Sequence, residues 1–160
     1  MNATVELSPA TPLAKVFNHK LFYMAYIIKG ISTPLVLHIK TGSHATAIET
    51  EASVGVSTTI DILEGATPSV DGTPIVLMNY NRLYPDDSLA AKVFVAPTYT
   101  GGSNILTALA GFGTNSGKAQ GGQGGEPIPY IMKPFTSYIH VLTPLSVTDM
   151  YVRWCLCEED

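Results

Sequence analysis

Cys155 and Cys157 stand one residue apart near the C-terminus. On a strand both side chains point to one face, without the geometry of an ordinary disulfide. A zinc site would need two further ligands. The four histidines, His19, His38, His44 and His140, show neither helical nor finger spacing to one another or to the cysteines. The cysteines therefore read as reduced, half-buried packing residues, and no metal is expected. His38 and His140 fall inside strand patterns, where an imidazole is ordinarily packed or hydrogen-bonded, so neither is assigned to catalysis.

Phosphate and acyl-transfer chemistry fail on spacing. Seven of the fourteen glycines lie in 111–125, but a Walker pattern closing on Gly117-Lys118 would begin at Phe112 and end at Ala119, so both defining positions are wrong. Gly111-x-Gly113 precedes Gly117 by one residue too many for a dinucleotide fingerprint, outside any βαβ unit. Gly101-Gly102-Ser103-Asn104-Ile105 lacks the closing glycine of a nucleophile elbow. No triad, acid–base pair or cofactor set emerges, and the chain is not expected to be an enzyme.

Three carboxylates and one aromatic segment invite binding instead. If a hairpin centres on Gly55, Glu49 faces Asp61 and Glu51 faces Thr59, which gathers three carboxylates on one outer face. Such a face is either simply solvated or relieved by a hard cation such as Ca²⁺. Segment 79–87 carries Tyr80, Arg82 and Tyr84, aromatic and guanidinium groups of the kind that dominate binding hot spots, or else it is an ordinary strand-edge turn. Lys118 in the Gly-rich loop and Phe17 and His19 near the N-terminus complete the candidate partner contacts.

The elements that must position these groups read as all-β. Between residues 46 and 62 the even positions carry Ile48, Ala52, Val54, Val56, Ile60 and Ile62, and the odd ones Glu49, Glu51, Ser53, Ser57, Thr59 and Asp61. That alternation gives one buried face. Because the phase runs unbroken across Gly55, the spacing predicts a three-residue turn at 54–56, or one long strand kinked at Gly55. Further strands are expected at 21–29, 34–41, 75–80, 89–96, 128–133, 137–142 and 149–157. The last puts Met150, Val152, Trp154 and Leu156 on one face. Segment 105–112 allows a strand or a short helix, and the strand suits its context. Residues 1–20, with Pro9 and Pro12 and no clean period, read as an extended arm, and 111–125 as a mobile loop, both protease-sensitive in the free protein. Residues 21–160 then form one domain, an antiparallel β-sandwich or jelly roll.

Composition bounds the partners. The 160 residues are 46% hydrophobic and 14% charged, with mean hydropathy +0.21. An average soluble chain is roughly 25% charged, so part of this surface is expected to be buried against other subunits. Nine Lys and Arg, a net charge of −4 and a pI near 5.5 exclude a nucleic-acid footprint. The most apolar run, 21–28, is far short of the roughly 20 residues that span a bilayer. A polar stretch precedes it and no small-x-small site follows in Gly30-Ile31-Ser32-Thr33-Pro34, so neither export nor membrane insertion is expected.

The run Val56-Ser57-Thr58-Thr59-Ile60-Asp61-Ile62-Leu63-Glu64-Gly65-Ala66-Thr67, continuing through Asp71-Gly72-Thr73 to Asn79-Tyr80-Asn81-Arg82, resembles small virion proteins of tailed bacteriophages. So do Lys133-Pro134-Phe135-Thr136-Ser137-Tyr138 and the aromatic, acidic ending from Val152-Arg153-Trp154 to Asp160. The pattern, one of strands and turns over roughly residues 35–160, is similar to the jelly-roll decoration or cement proteins of capsids. The resemblance implies a protein made in the host cytoplasm that binds the major capsid protein on the virion exterior. There it would stabilise the head lattice without turnover. The first 34 residues and the Gly-rich loop depart from that pattern. Low charge suits a dimer or trimer. The alternative reading is a receptor- or carbohydrate-binding sandwich of a phage tail or fibre, since the fold hosts both jobs.

Overall fold

A computed structural model describes residues 21–83, 89–110 and 128–159. The arm, the Gly-rich loop, the acidic pair Asp86 and Asp87, and the candidate contacts Phe17, His19, Tyr84 and Lys118 lie outside the described residues. Among the described residues there are thirteen strands and no helix. They are β1 (Leu21–Ile31), β2 (Leu35–Lys40), β3 (Ala45–Val54), β4 (Thr58–Glu64), β5 (Thr67–Val70), β6 (Thr73–Ile75) and β7 (Met78–Asn79). There follow β8 (Lys92–Val95), β9 (Thr98–Thr100), β10 (Ser103–Ala110), β11 (Ile128–Met132), β12 (Ser137–Pro144) and β13 (Thr148–Glu159).

Two antiparallel sheets make a β-sandwich. One has the order β11-β3-β13-β1-β7 and the other β10-β4-β12-β2-β8-β6, with a two-stranded ribbon, β5-β9, apart from both. The period-2 pattern explains the layering. Met150, Val152, Trp154 and Leu156 of β13 and Ile48, Ala52 and Val54 of β3 meet Leu35, Leu37 and Ile39 of β2, Ile60 and Ile62 of β4, and Tyr138 and Leu142 of β12 in one buried cluster. The expected core face of 46–62 is therefore present.

The expected hairpin at Gly55 is not. β3 and β4 belong to different sheets, so the chain crosses the sandwich there, nearer to the kinked-strand alternative. A strand that bends over the edge of a sandwich keeps the same face towards the core, which is why the alternation continues unbroken. Gly55 fits that corner because a Cβ would come within 2.9 Å of Thr148 Oγ1, to which the Gly55 N–H donates at 3.2 Å. The gathered carboxylates disappear with the hairpin. Glu49 lies opposite Cys155 and Pro129, Glu51 opposite Arg153, and Asp61 opposite Thr107 and Val141. Glu51 pairs with Arg153, and Asp61 accepts from Thr107 Oγ1 at 2.6 Å and Asn104 Nδ2 at 3.1 Å. Among the described residues no group of three His, Cys, Asp or Glu side chains is placed to hold a metal.

A second corner divides the strand expected at 75–80. β6 joins the six-stranded sheet and β7 the five-stranded one, with Val76 and Leu77 crossing between them. Segment 89–96 pairs only from Lys92 onwards, because the N–H groups of Ala90 and Ala91 donate to the Glu158 carboxylate, at 3.0 and 2.7 Å, rather than to a ladder. Segment 105–112 is the strand that its context suggested, as far as Ala110. The ribbon strands β5 and β9, four and three residues long, are too short to show a period and had no signal in the sequence.

A candidate docking turn and the surfaces beside it

The β11–β12 connection, 133–136, is short and carries Pro134, so its backbone has few free torsions. Phe135 takes φ 51° there, in the left-handed region that favours glycine, and its side chain is 81% exposed. Two independent sets of bonds impose this conformation. On one side the buried Thr41 hydroxyl donates to Lys133 O at 2.7 Å and accepts from Thr136 N at 2.8 Å, while Phe135 N donates to Gly42 O at 2.9 Å. Gly42 is itself obligatory, since a Cβ would sit 2.4 Å from that of Ala90. On the other side Lys133 N donates to the Tyr138 hydroxyl at 2.9 Å, and that hydroxyl donates to Glu64 Oε2 at 2.9 Å. The Lys133 ammonium meets Glu64 Oε1 at 2.6 Å. The Lys133 and Tyr138 hydrogen bonds hold the Glu64 carboxyl below its usual range, and burial pushes the Tyr138 phenol up.

Tyr80 lies on a different surface, the outer face of the five-stranded sheet. Its N–H donates to Leu21 O at 3.0 Å, its ring centroid is 4.4 Å from that of Tyr23, and its hydroxyl lies 3.9 Å from Cys155 Sγ. Burial, then the neighbouring Cys155, raises the Tyr80 phenol, and burial likewise pushes the Cys155 thiol up. The chain then turns through two side-chain caps, Asn79 Oδ1 accepting from Asn81 N and Asn81 Oδ1 from Leu83 N, which leave Arg82 and Leu83 exposed. Tyr80 and Arg82 thus share one segment, yet Tyr80 is half-buried against the sheet. The sequence gives no warning that Tyr23, Cys155 and Arg153 surround Tyr80, because their proximity depends on strand order.

Both histidines are packed, as their strand positions suggested. His140 is fully buried between the sheets, where its Nε2 bonds the Tyr130 hydroxyl, and burial lowers its pKa to about 3. His38 is fully buried on the outer face of the six-stranded sheet. Its Nε2 is 2.7 Å from Ser137 Oγ and its Nδ1 3.4 Å from Asp71 Oδ1. That is the hydroxyl, imidazole, carboxylate order of a catalytic triad. Here the ring stacks under Phe94 and has no exposed surface, and burial, opposed by Asp71, lowers its pKa. The ring is closed to solvent while Ser137 and Asp71 are partly exposed, and the constellation ties β2, β12 and the residue after β5 together. Residues so far apart in sequence gave no hint of it. Cys155 is a half-buried thiol and Cys157 a buried one, whose Sγ donates to Glu158 O at 3.6 Å.

Among the described residues no helix is long and apolar enough to cross a membrane. Comparison with family models, curated proteins and solved structures finds no match to the chain.

Proposed function

We propose that this protein is a non-catalytic docking protein of a virion, a decoration protein that binds the major capsid protein on the outer surface of a phage head and stabilises the lattice. The Phe135 turn carries the proposal. Left-handed backbone costs a non-glycine residue about 1–2 kcal/mol, and an exposed phenyl ring returns little of that to the isolated fold. A turn held rigid by two sets of bonds, on a conformation glycine would adopt more readily, is what presenting an aromatic anchor to a partner requires. It lies in the Lys133-to-Tyr138 stretch that resembles the decoration proteins, and a β-sandwich suits that role.

Quantitative mass spectrometry of purified particles, counting this chain per major capsid subunit, tests the reading. A ratio near one, or a simple fraction of it, is expected. A handful of copies per particle would favour the receptor- or carbohydrate-binding role on a tail, and absence from particles would remove the virion reading.

A further inference from the structure

Among the described residues the two main sheets have four edges, and three are blunted. β7 has two residues, β6 has three and includes Pro74, and β11 carries Pro129. Short strands and prolines deny an incoming chain its ladder. The fourth edge, β10, has eight residues, Ser-Asn-Ile-Leu-Thr-Ala-Leu-Ala, with no proline and no charge. A bulge at Ile105 disturbs its beginning, but from Leu106 to Ala110 it pairs residue for residue with β4, leaving its other side without a strand neighbour among the described residues. Leu109 is 71% exposed there. The nearest carboxylate, Asp61 on β4, is already occupied by Thr107 and Asn104.

We infer that β10 is a self-association edge: two copies of this chain pair antiparallel along Leu106–Ala110 about a two-fold axis at Ala108, joining their six-stranded sheets. A second copy is the occupant the chemistry favours. In this register Ala108 meets its own equivalent, Thr107 meets Leu109 and Leu106 meets Ala110, so no pair sets like charges together or a bulky residue on the axis. For a chain of net charge −4, self-association needs a strip without charge, and this strand supplies one. A charged partner strand would find nothing to pair with. The inference does not depend on the capsid reading.

Sedimentation of the full chain over a wide range of concentration should give twice 17.1 kDa, with Leu109→Lys at 17.1 kDa and an unchanged near-ultraviolet circular dichroism spectrum. Directly opposed residues of antiparallel strands have Cα atoms about 4.5–5.5 Å apart, within disulfide reach. Ala108→Cys should therefore cross-link two copies on oxidation, while Ala25→Cys, exposed on the five-stranded sheet, should not. A wild-type chain that stays at 17.1 kDa, or a dimer indifferent to Leu109→Lys, would overturn the inference. So would a dimer lost only on removing residues 1–20, which would assign the interface to the arm.

Discussion

At the turn between β11 and β12 a phenylalanine is held out on backbone that favours glycine, fixed by Thr41 and Gly42 on one side and by Glu64 and Tyr138 on the other. Along β10 no such strain is imposed: the exposed group is regular backbone, with Leu109 standing from it. Both regions present apolar surface, by different means. The turn offers a side chain of fixed direction, which suits a shaped pocket on an unlike partner. The edge offers a ladder of N–H and C=O groups, which suits another strand. One fold can therefore carry two contacts of different kinds.

Acid separates them most strongly. His140 has a folded pKa of about 3, below the roughly 6.5 of an unfolded histidine, so the unfolded chain binds the extra proton between those values. Stability is full above pH 6.5 and is lost as pH falls towards 3, at about 1.4 kcal/mol per pH unit from this residue alone. His38 and Glu64, both lowered, act with the same sign. β10 contains no titratable side chain, and its contact with the Asp61 carboxylate is made by the Thr107 and Asn104 side chains and not by the pairing backbone, so self-association of chains that remain folded should change less than the turn, which loses its Glu64 lock. Urea melts at stepped pH should show the slope in the wild type and a shallower one in His140→Gln.

Next in size, Thr41→Val deletes the hydroxyl that serves both Lys133 O and Thr136 N. The expected loss is about 2–3 kcal/mol, with faster amide exchange at Thr136 and none at β10. Phe135→Gly should relieve the left-handed strain and raise stability by about 1 kcal/mol, seen as a higher melting temperature. Smallest, Leu109→Lys should move the stability of the folded monomer by no more than about 0.5 kcal/mol while removing the dimer.

The sequence showed more of the layers than of the contacts. Met150, Val152, Trp154 and Leu156 declare a buried face because alternation is local, and the same holds for Ile48 to Ile62. Which sheet each half of 46–62 joins was hidden, since a hairpin and a corner share one pattern up to Gly55. β6 and β7 are too short to announce that they part. Pro74 and Pro129 do mark edges, and the absence of proline and charge in β10 was readable once β10 was known to be an edge. Phe135 fell between the strands expected at 128–133 and 137–142 with nothing to mark it, because its positive φ is set by Thr41, Gly42 and Glu64, which come to it through the fold. Tyr80 stood out by type, and its half-burial against Tyr23 and Cys155 follows from strand order.

The most direct test of the docking account is saturation binding of the wild-type chain and of Phe135→Ala to phage particles lacking this protein. An aromatic anchor contributes about 2 kcal/mol or more, so Phe135→Ala should bind about thirty-fold more weakly with its melting temperature not lowered. Equal binding by the two chains would contradict the account.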